Sequence, residues 1–198
     1  MTGRKTLYGG VSNAVWGYFF LYFNINLGAV NILPRFVGWL LFLAAIQKLK
    51  EERRDLALLR PLGLLLALWS GADWLAACFG AGVGGHFLPL DLIVSVAEMY
   101  FHFQFLTDCA ALAAAYQRPE DGLDRRFLRW RTVQTVLLTA AALSACGADR
   151  LGGTWAYVPA ALAVVYIFAA LCLMAALLAL RRLFREDGPP GDQPQTGP

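Results

Sequence analysis

The sequence predicts an all-α fold: a polytopic integral membrane bundle of six transmembrane helices, with both termini in the cytoplasm. Three observations predict it. Of the 198 residues, 58% are hydrophobic and only 16% are charged, whereas about a quarter of a soluble domain is charged; mean hydropathy is +0.51. Six apolar stretches approach the roughly 20 residues a helix needs to cross about 30 Å of hydrocarbon. Fifteen of the seventeen Lys and Arg residues fall at the two termini and in the second and fourth connections, which the positive-inside rule assigns to the cytoplasm. Residues 1–185 read as a single transmembrane helical domain. Residues 186–198, rich in Pro and Gly, read as a disordered cytoplasmic tail.

The first span, Leu7–Leu27, follows Arg4 and Lys5 as a signal peptide would. It lacks a small-x-small cleavage site and carries Asn13, Asn24 and Asn26, so it reads as a retained signal-anchor. Gly10, Ala14 and Gly17 give it a small-residue face suited to a sister helix or to another protein. The second span, Ala29–Leu49, is crowded at its start by Asn31, Pro34 and Arg35. Its apolar part, Phe36 to Ile46, is too short alone, so the helix must begin near Val30 or be tilted or broken. The segment KLKEERRDLALLR is expected to prolong this helix into water and lead to the third span, Leu56–Phe79, with Pro61 in its first turn.

The fourth span is Phe87–Tyr116. The connection RPEDGLDRRFLRWR opens with a turn signal, then mixes Arg with Leu123, Phe127, Leu128 and Trp130. That pattern suits anionic lipid headgroups, or is an ordinary positive flank. The fifth span is Phe127–Ala148. The sixth, Thr154–Leu183, has no Asp, Glu, Lys, Arg or His between Trp155 and Arg181 and reads as a packing or lipid-facing helix. Ile32-Leu33-Pro34, Phe87-Leu88-Pro89 and Tyr157-Val158-Pro159 open the even-numbered spans alike, which suggests three helical hairpins. The four cysteines read as small buried hydrophobes. Cys78 and Cys146 alone fall near the outer face, where a disulfide persists if formed.

The fourth span carries the chemistry. Asp91, Ser95, Glu98, His102 and Cys109 recur at steps that stack them on one helix face. An ionisable group in hydrocarbon is costly and marks a functional site by default. From the 1.5 Å rise, Asp91 lies roughly 6 Å inside the outer surface, Glu98 roughly 16 Å and His102 roughly 22 Å. Glu98 and His102, four residues apart, are placed to touch and to share a proton. Asp108 falls near the inner face, off the stripe.

A second polar group gathers at the outer side: Asp73, Arg35, Asn24, Asn26 and Asn31, with His86, Asp149 and Arg150 in other turns. Arg35 is the expected counter-ion of Asp73 or Asp91. Together these residues line either a vestibule leading down to Glu98 or a polar cap that satisfies helix ends. The spans hold four acids, Asp73, Asp91, Glu98 and Asp108, against Arg35 and His102. That balance favours a proton, a metal cation or an amine over an anion.

Several classes are excluded or disfavoured. Basic residues are not interleaved with aromatics as single-stranded nucleic acid requires. There is no GxSxG, HExxH or P-loop. Two histidines at different depths and no CxxC argue against a metal centre. No cofactor is implied.

The stretches FNINLGAVNILPRFVGWLLFLAAIQKL and MYFHFQFLTDCAALA resemble a group of small, uncharacterised bacterial six-helix membrane proteins. The resemblance implies a bacterial inner-membrane location and brings no activity or site residues. The six-helix plan is also similar, at the level of architecture alone, to substrate-binding subunits of vitamin transporters. The leading expectation is a transporter or transport subunit for a cation or small polar solute. Its binding residues would be Glu98, His102, Asp91, Asp73, Arg35, Asn24 and Asn31. The alternative is a non-catalytic accessory or scaffold subunit of a larger membrane complex; an enzyme comes third.

Overall fold

The computed structural model describes residues 2–23, 26–27, 30–31, 34–79, 88–118, 120–147 and 157–185. It is all-α, with six helices: α1 (Thr2–Tyr22), α2 (Arg35–Leu49), α3 (Asp55–Cys78), α4 (Leu88–Tyr116), α5 (Leu123–Gly147) and α6 (Tyr157–Leu183). Each falls on one of the six apolar stretches. The first turn holds a minimal antiparallel ladder, Asn26–Leu27 with Val30–Asn31, through backbone atoms. Helices adjacent in sequence pack together, and α6 closes the ring against α1.

One start and one connection differ from expectation. α2 begins at Arg35, with Pro34 extended before it, and not near Val30. The residue before proline is pushed out of helical geometry, and this favours a late start. The 15 residues of α2 therefore rise only about 22 Å. Its helix also stops at Leu49: Lys50, Glu52 and Arg53 fold back in tight turns, and α3 starts at Asp55. Pro61 accordingly lies inside α3 and not in its first turn. By length and hydropathy, α3 and the stretch Ala160–Leu183 of α6 are able to cross a membrane.

α1 and α2 approach closely because both are glycine-lined where they cross. A Cβ on Gly38 would sit 2.9 Å from the Gly17 carbonyl oxygen, and one on Gly10 would sit 2.8 Å from Leu49 Cγ. The small-residue face of α1 is thus taken by its sister helix. The α4–α5 turn is held by Gln117, whose Oε1 accepts from the backbone N–H groups of Leu123 and Asp124 at 2.8 and 3.1 Å. These are orphan donors at the start of α5. Gly122 takes the left-handed conformation, φ 57°, that the turn requires.

The contacts fix which helix ends lie together. Lys48 Nζ lies beside Gly9 of α1, Arg181 lies over the Tyr8 ring at 5.4 Å, and Tyr116 packs on Phe184 at 5.1 Å. At the other end Phe36 meets Trp74 and Tyr22 meets Tyr166. The start of α1 and the end of α6 therefore share one end, together with the basic α2–α3 and α4–α5 turns. Arg150 lies outside the described residues.

Packing is uneven along the bundle. In the basic half the core is dense: Leu56 to Ala67 of α3, Phe101 to Ala113 of α4, Ala169 to Leu180 of α6 and Phe184 just beyond it supply buried side chains. In the opposite half the described helices bury little. A groove of about 410 Å³ separates α4 from α5, and one of about 320 Å³ separates α5 from α6. All six helices carry large exposed apolar side chains, among them Trp16, Leu40, Leu58, Ile93, Val136 and Phe168.

Candidate functional site

Arg35, Glu98 and His102 gather where the dense and open halves of the bundle meet. Arg35, the first residue of α2, reaches across to Glu98 on α4. Its Nη2 donates to both carboxylate oxygens, at 3.1 and 3.4 Å. Both bonds come from one nitrogen, so this is not the two-nitrogen fork of the strongest pairs. The Arg35 side chain is 47% exposed and that of Glu98 18%. Glu98 and Ser95 stand on the wall of the larger groove, with Leu92, Met99 and Thr139. Thr139 Oγ1, which donates to the Thr135 carbonyl at 2.8 Å, lies 3.5 Å from Met99 Sδ across the groove.

One turn further into α4, His102 is enclosed and only 5% exposed. Its Nδ1 meets the Tyr18 hydroxyl of α1 at 3.2 Å. The imidazole stacks on the Tyr18 ring at 5.3 Å and lies against Trp39, Phe42 and Phe101. Phe42 also packs edge-on to Phe105 and Phe101. Edge-to-face aromatic pairs of this kind contribute about 0.5–1.5 kcal/mol each beyond their area. They close the bundle beneath Glu98. Trp39 Nε1 is buried there without a hydrogen-bond acceptor.

Beside Glu98 a second polar group joins α1, α5 and α6. Tyr22 packs edge-on to Tyr166 at 4.9 Å and stacks on Tyr18 at 5.5 Å. The Tyr166 side chain lies near Tyr22, Glu98 and Arg35. Gln134 of α5 lies next to Tyr22. No model of a known protein family matches the chain, and no curated protein or solved structure does either. The reading of the site therefore rests on its geometry.

The structure partners the expected residues differently from the spacing. Glu98 and His102 share a face, but the carboxylate goes to Arg35 and the imidazole to Tyr18. Arg35 meets Glu98 where Asp73 or Asp91 was expected. Asp73 and Asp91 are part-buried on α3 and α4 and have interactions of their own. Asn31 is described through its backbone pairing with Asn26; its side chain, Asn24, His86 and Asp149 lie outside the described residues. Cys78 is an exposed free thiol, and the Cys146 side chain lies outside them too.

Four site residues were not singled out in the sequence: Tyr18, Tyr22, Gln134 and Tyr166. Gln134, a polar amide midway along an apolar stretch, was the available signal. α6, expected only to pack or face lipid, brings Tyr166 to the site. Asp108, assigned to the inner face, is buried and accepts from Gln104 Nε2 at 3.3 Å. Arg131, assigned to a basic flank, clamps α5 to α4: it donates to Thr107 Oγ1 at 3.1 Å and lies 4.4 Å over the Phe103 ring.

Proposed function

We propose that this chain is an integral membrane protein with six bilayer-embedded helices and both termini in the cytoplasm. It acts as a small transporter, or transport subunit, for a cation or small polar solute. The observation that carries the reading is the position of Glu98. It stands at the floor of the open half, reached by a groove, directly above the aromatic layer that encloses His102. An outward-open site closed on its basic side has this form.

Three features support the membrane placement. Large apolar side chains are exposed on every helix, far beyond the scattered exposure of a water-soluble surface. Two helices meet the length and hydropathy needed for a span. Basic residues gather at one end, as the positive-inside rule requires. In this placement the short α2 reaches only part-way, and Arg35 at its start lies at the depth of the site. Irregular backbone at membrane depth is tolerated where protein or a cavity surrounds it.

Asp73, Asp91 and Glu98 outnumber Arg35 in the outer half, so a cationic solute is favoured. A cation displaces the guanidinium from Glu98, and Arg35 swings into the space where it is already half-exposed. The test is pH-dependent flux into proteoliposomes containing the purified chain. Glu98→Gln is expected to reduce flux at least about tenfold with the fold intact, which is about 1.4 kcal/mol. Unchanged flux removes the reading.

The accessory-subunit reading draws on the row of exposed leucines along α3: Leu58, Leu64, Leu65, Leu68 and Leu75. It requires a stable partner and no flux by the isolated chain.

A further inference from the structure

The groove between α2 and α3 holds a cation that the site at Glu98 does not use. The groove has a volume of about 420 Å³ and is walled by Leu43 of α2 and by Ala57, Arg60, Pro61 and Leu64 of α3. Arg60 is exposed, and among the described residues no carboxylate pairs with it. Pro61 lies inside the helix. Proline has no N–H, so the Ala57 carbonyl lacks the donor that closes an α-helical turn. A helical carbonyl points toward the residue four positions on. This acceptor therefore lies along the groove wall, between Ala57 and Pro61.

The surroundings decide what fits. Arg60 is five residues from the start of α3, about 8 Å along it from the basic end. α3 is one of the two helices able to cross a membrane by length and hydropathy. Leu64 and Leu68 follow at steps of four, about 6 and 12 Å beyond Arg60, and are 51% and 66% exposed. They continue the groove as an apolar track within the depth of one leaflet, about 15 Å. A guanidinium, a carbonyl acceptor and an apolar track thus succeed one another, as the parts of a lipid do. We propose that this groove binds one anionic phospholipid of the phosphatidylglycerol type. Arg60 donates to the phosphodiester, the head-group hydroxyl donates to the Ala57 carbonyl, and an acyl chain lies along Leu43, Leu64 and Leu68. A choline head group brings a second cation beside Arg60 and no donor for the carbonyl. The proposal rests on the membrane placement and not on transport or on Glu98.

The test titrates the purified chain in neutral detergent with phosphatidylglycerol and counts one-lipid complexes by native mass spectrometry. Arg60→Gln is expected to weaken binding at least about tenfold, the scale of lost hydrogen bonds to a charged group. Arg126→Gln, on an exposed side chain at the same end, is expected to leave it unchanged. Equal losses in the two variants mean general attraction to the basic end and overturn the proposal. Pro61→Ala returns an N–H to the Ala57 carbonyl. Wild type is expected to prefer phosphatidylglycerol over phosphatidylmethanol, which has the same charge and no hydroxyl, and Pro61→Ala to lose that preference while binding both. A wild type that binds the two alike, or that binds phosphatidylcholine or free glycerol phosphate as well as phosphatidylglycerol, overturns the proposal too. A chain that stays dispersed in water without detergent overturns the membrane placement itself, and that result is read separately from the lipid titration.

Discussion

Arg35 and Glu98 are 63 residues apart, yet Nη2 of one lies 3.1 Å from Oε1 of the other. The contact joins the start of α2 to the middle of α4 and sets the floor of the open half. A pair that is part-exposed gains little stability, on the order of 0–1 kcal/mol.

The Tyr18–His102 contact is expected to be structural support for the site. Tyr18→Phe and His102→Phe each strand a buried polar partner and should cost about 1–3 kcal/mol. The double variant strands neither, so its cost should be below the sum of the two. Denaturation of the four proteins in detergent gives the coupling energy. Strict additivity would mean that the 3.2 Å contact contributes nothing.

Gly38→Ala tests the crossing of α1 and α2. Alanine gains helix propensity, but its Cβ meets the backbone oxygen of Gly17 at 2.9 Å, and backbone cannot step aside as a side chain can. A net loss of about 1–3 kcal/mol is expected. Gly3→Ala is the control, since a Cβ there meets nothing within 4 Å; thermal unfolding of both variants separates crowding from propensity.

The helices were legible in the sequence and the partners were not. Runs of apolar residues ended by Gly, Pro and basic clusters are local signals, and all six helices follow them. The late start of α2 was half-legible, because Pro34 and Arg35 announced a break without saying on which side the helix resumed. Spacing put Glu98 and His102 on one face correctly. Which neighbour each side chain meets depends on how α4 is rotated against α1 and α2. That rotation is set by glycine contacts such as Gly17–Gly38 and by the aromatic layer, both long-range. A tyrosine in an apolar span carries no local mark that tells a buried polar hydroxyl from an ordinary packing ring, so Tyr18, Tyr22 and Tyr166 gave no advance sign of a shared centre.

The α4–α5 turn should respond to acid. Gln117 donates from Nε2 to Asp124 Oδ1 at 2.7 Å. This bond, with the backbone N–H of Arg125, holds the Asp124 carboxyl below its usual pKa. The folded form therefore binds its proton less tightly than the unfolded chain. The cap contributes in full above the unfolded pKa and is lost as pH falls through the lowered folded value. Asp124→Asn should be less stable than wild type at about pH 6, and the difference should close toward about pH 3. A difference that does not vary with pH contradicts the assignment.

The most direct test of Glu98 as a binding group is to exchange it with Arg35. Wild type, Arg35→Glu, Glu98→Arg and the double exchange are reconstituted together, and thermal stability and cation flux are measured on each. The double exchange restores the ion pair, so its stability should return to near the wild-type value. It places a guanidinium where the cation must bind, so its flux should stay abolished. Stability and flux recovering together would show that the pair only holds the bundle, and would contradict the account.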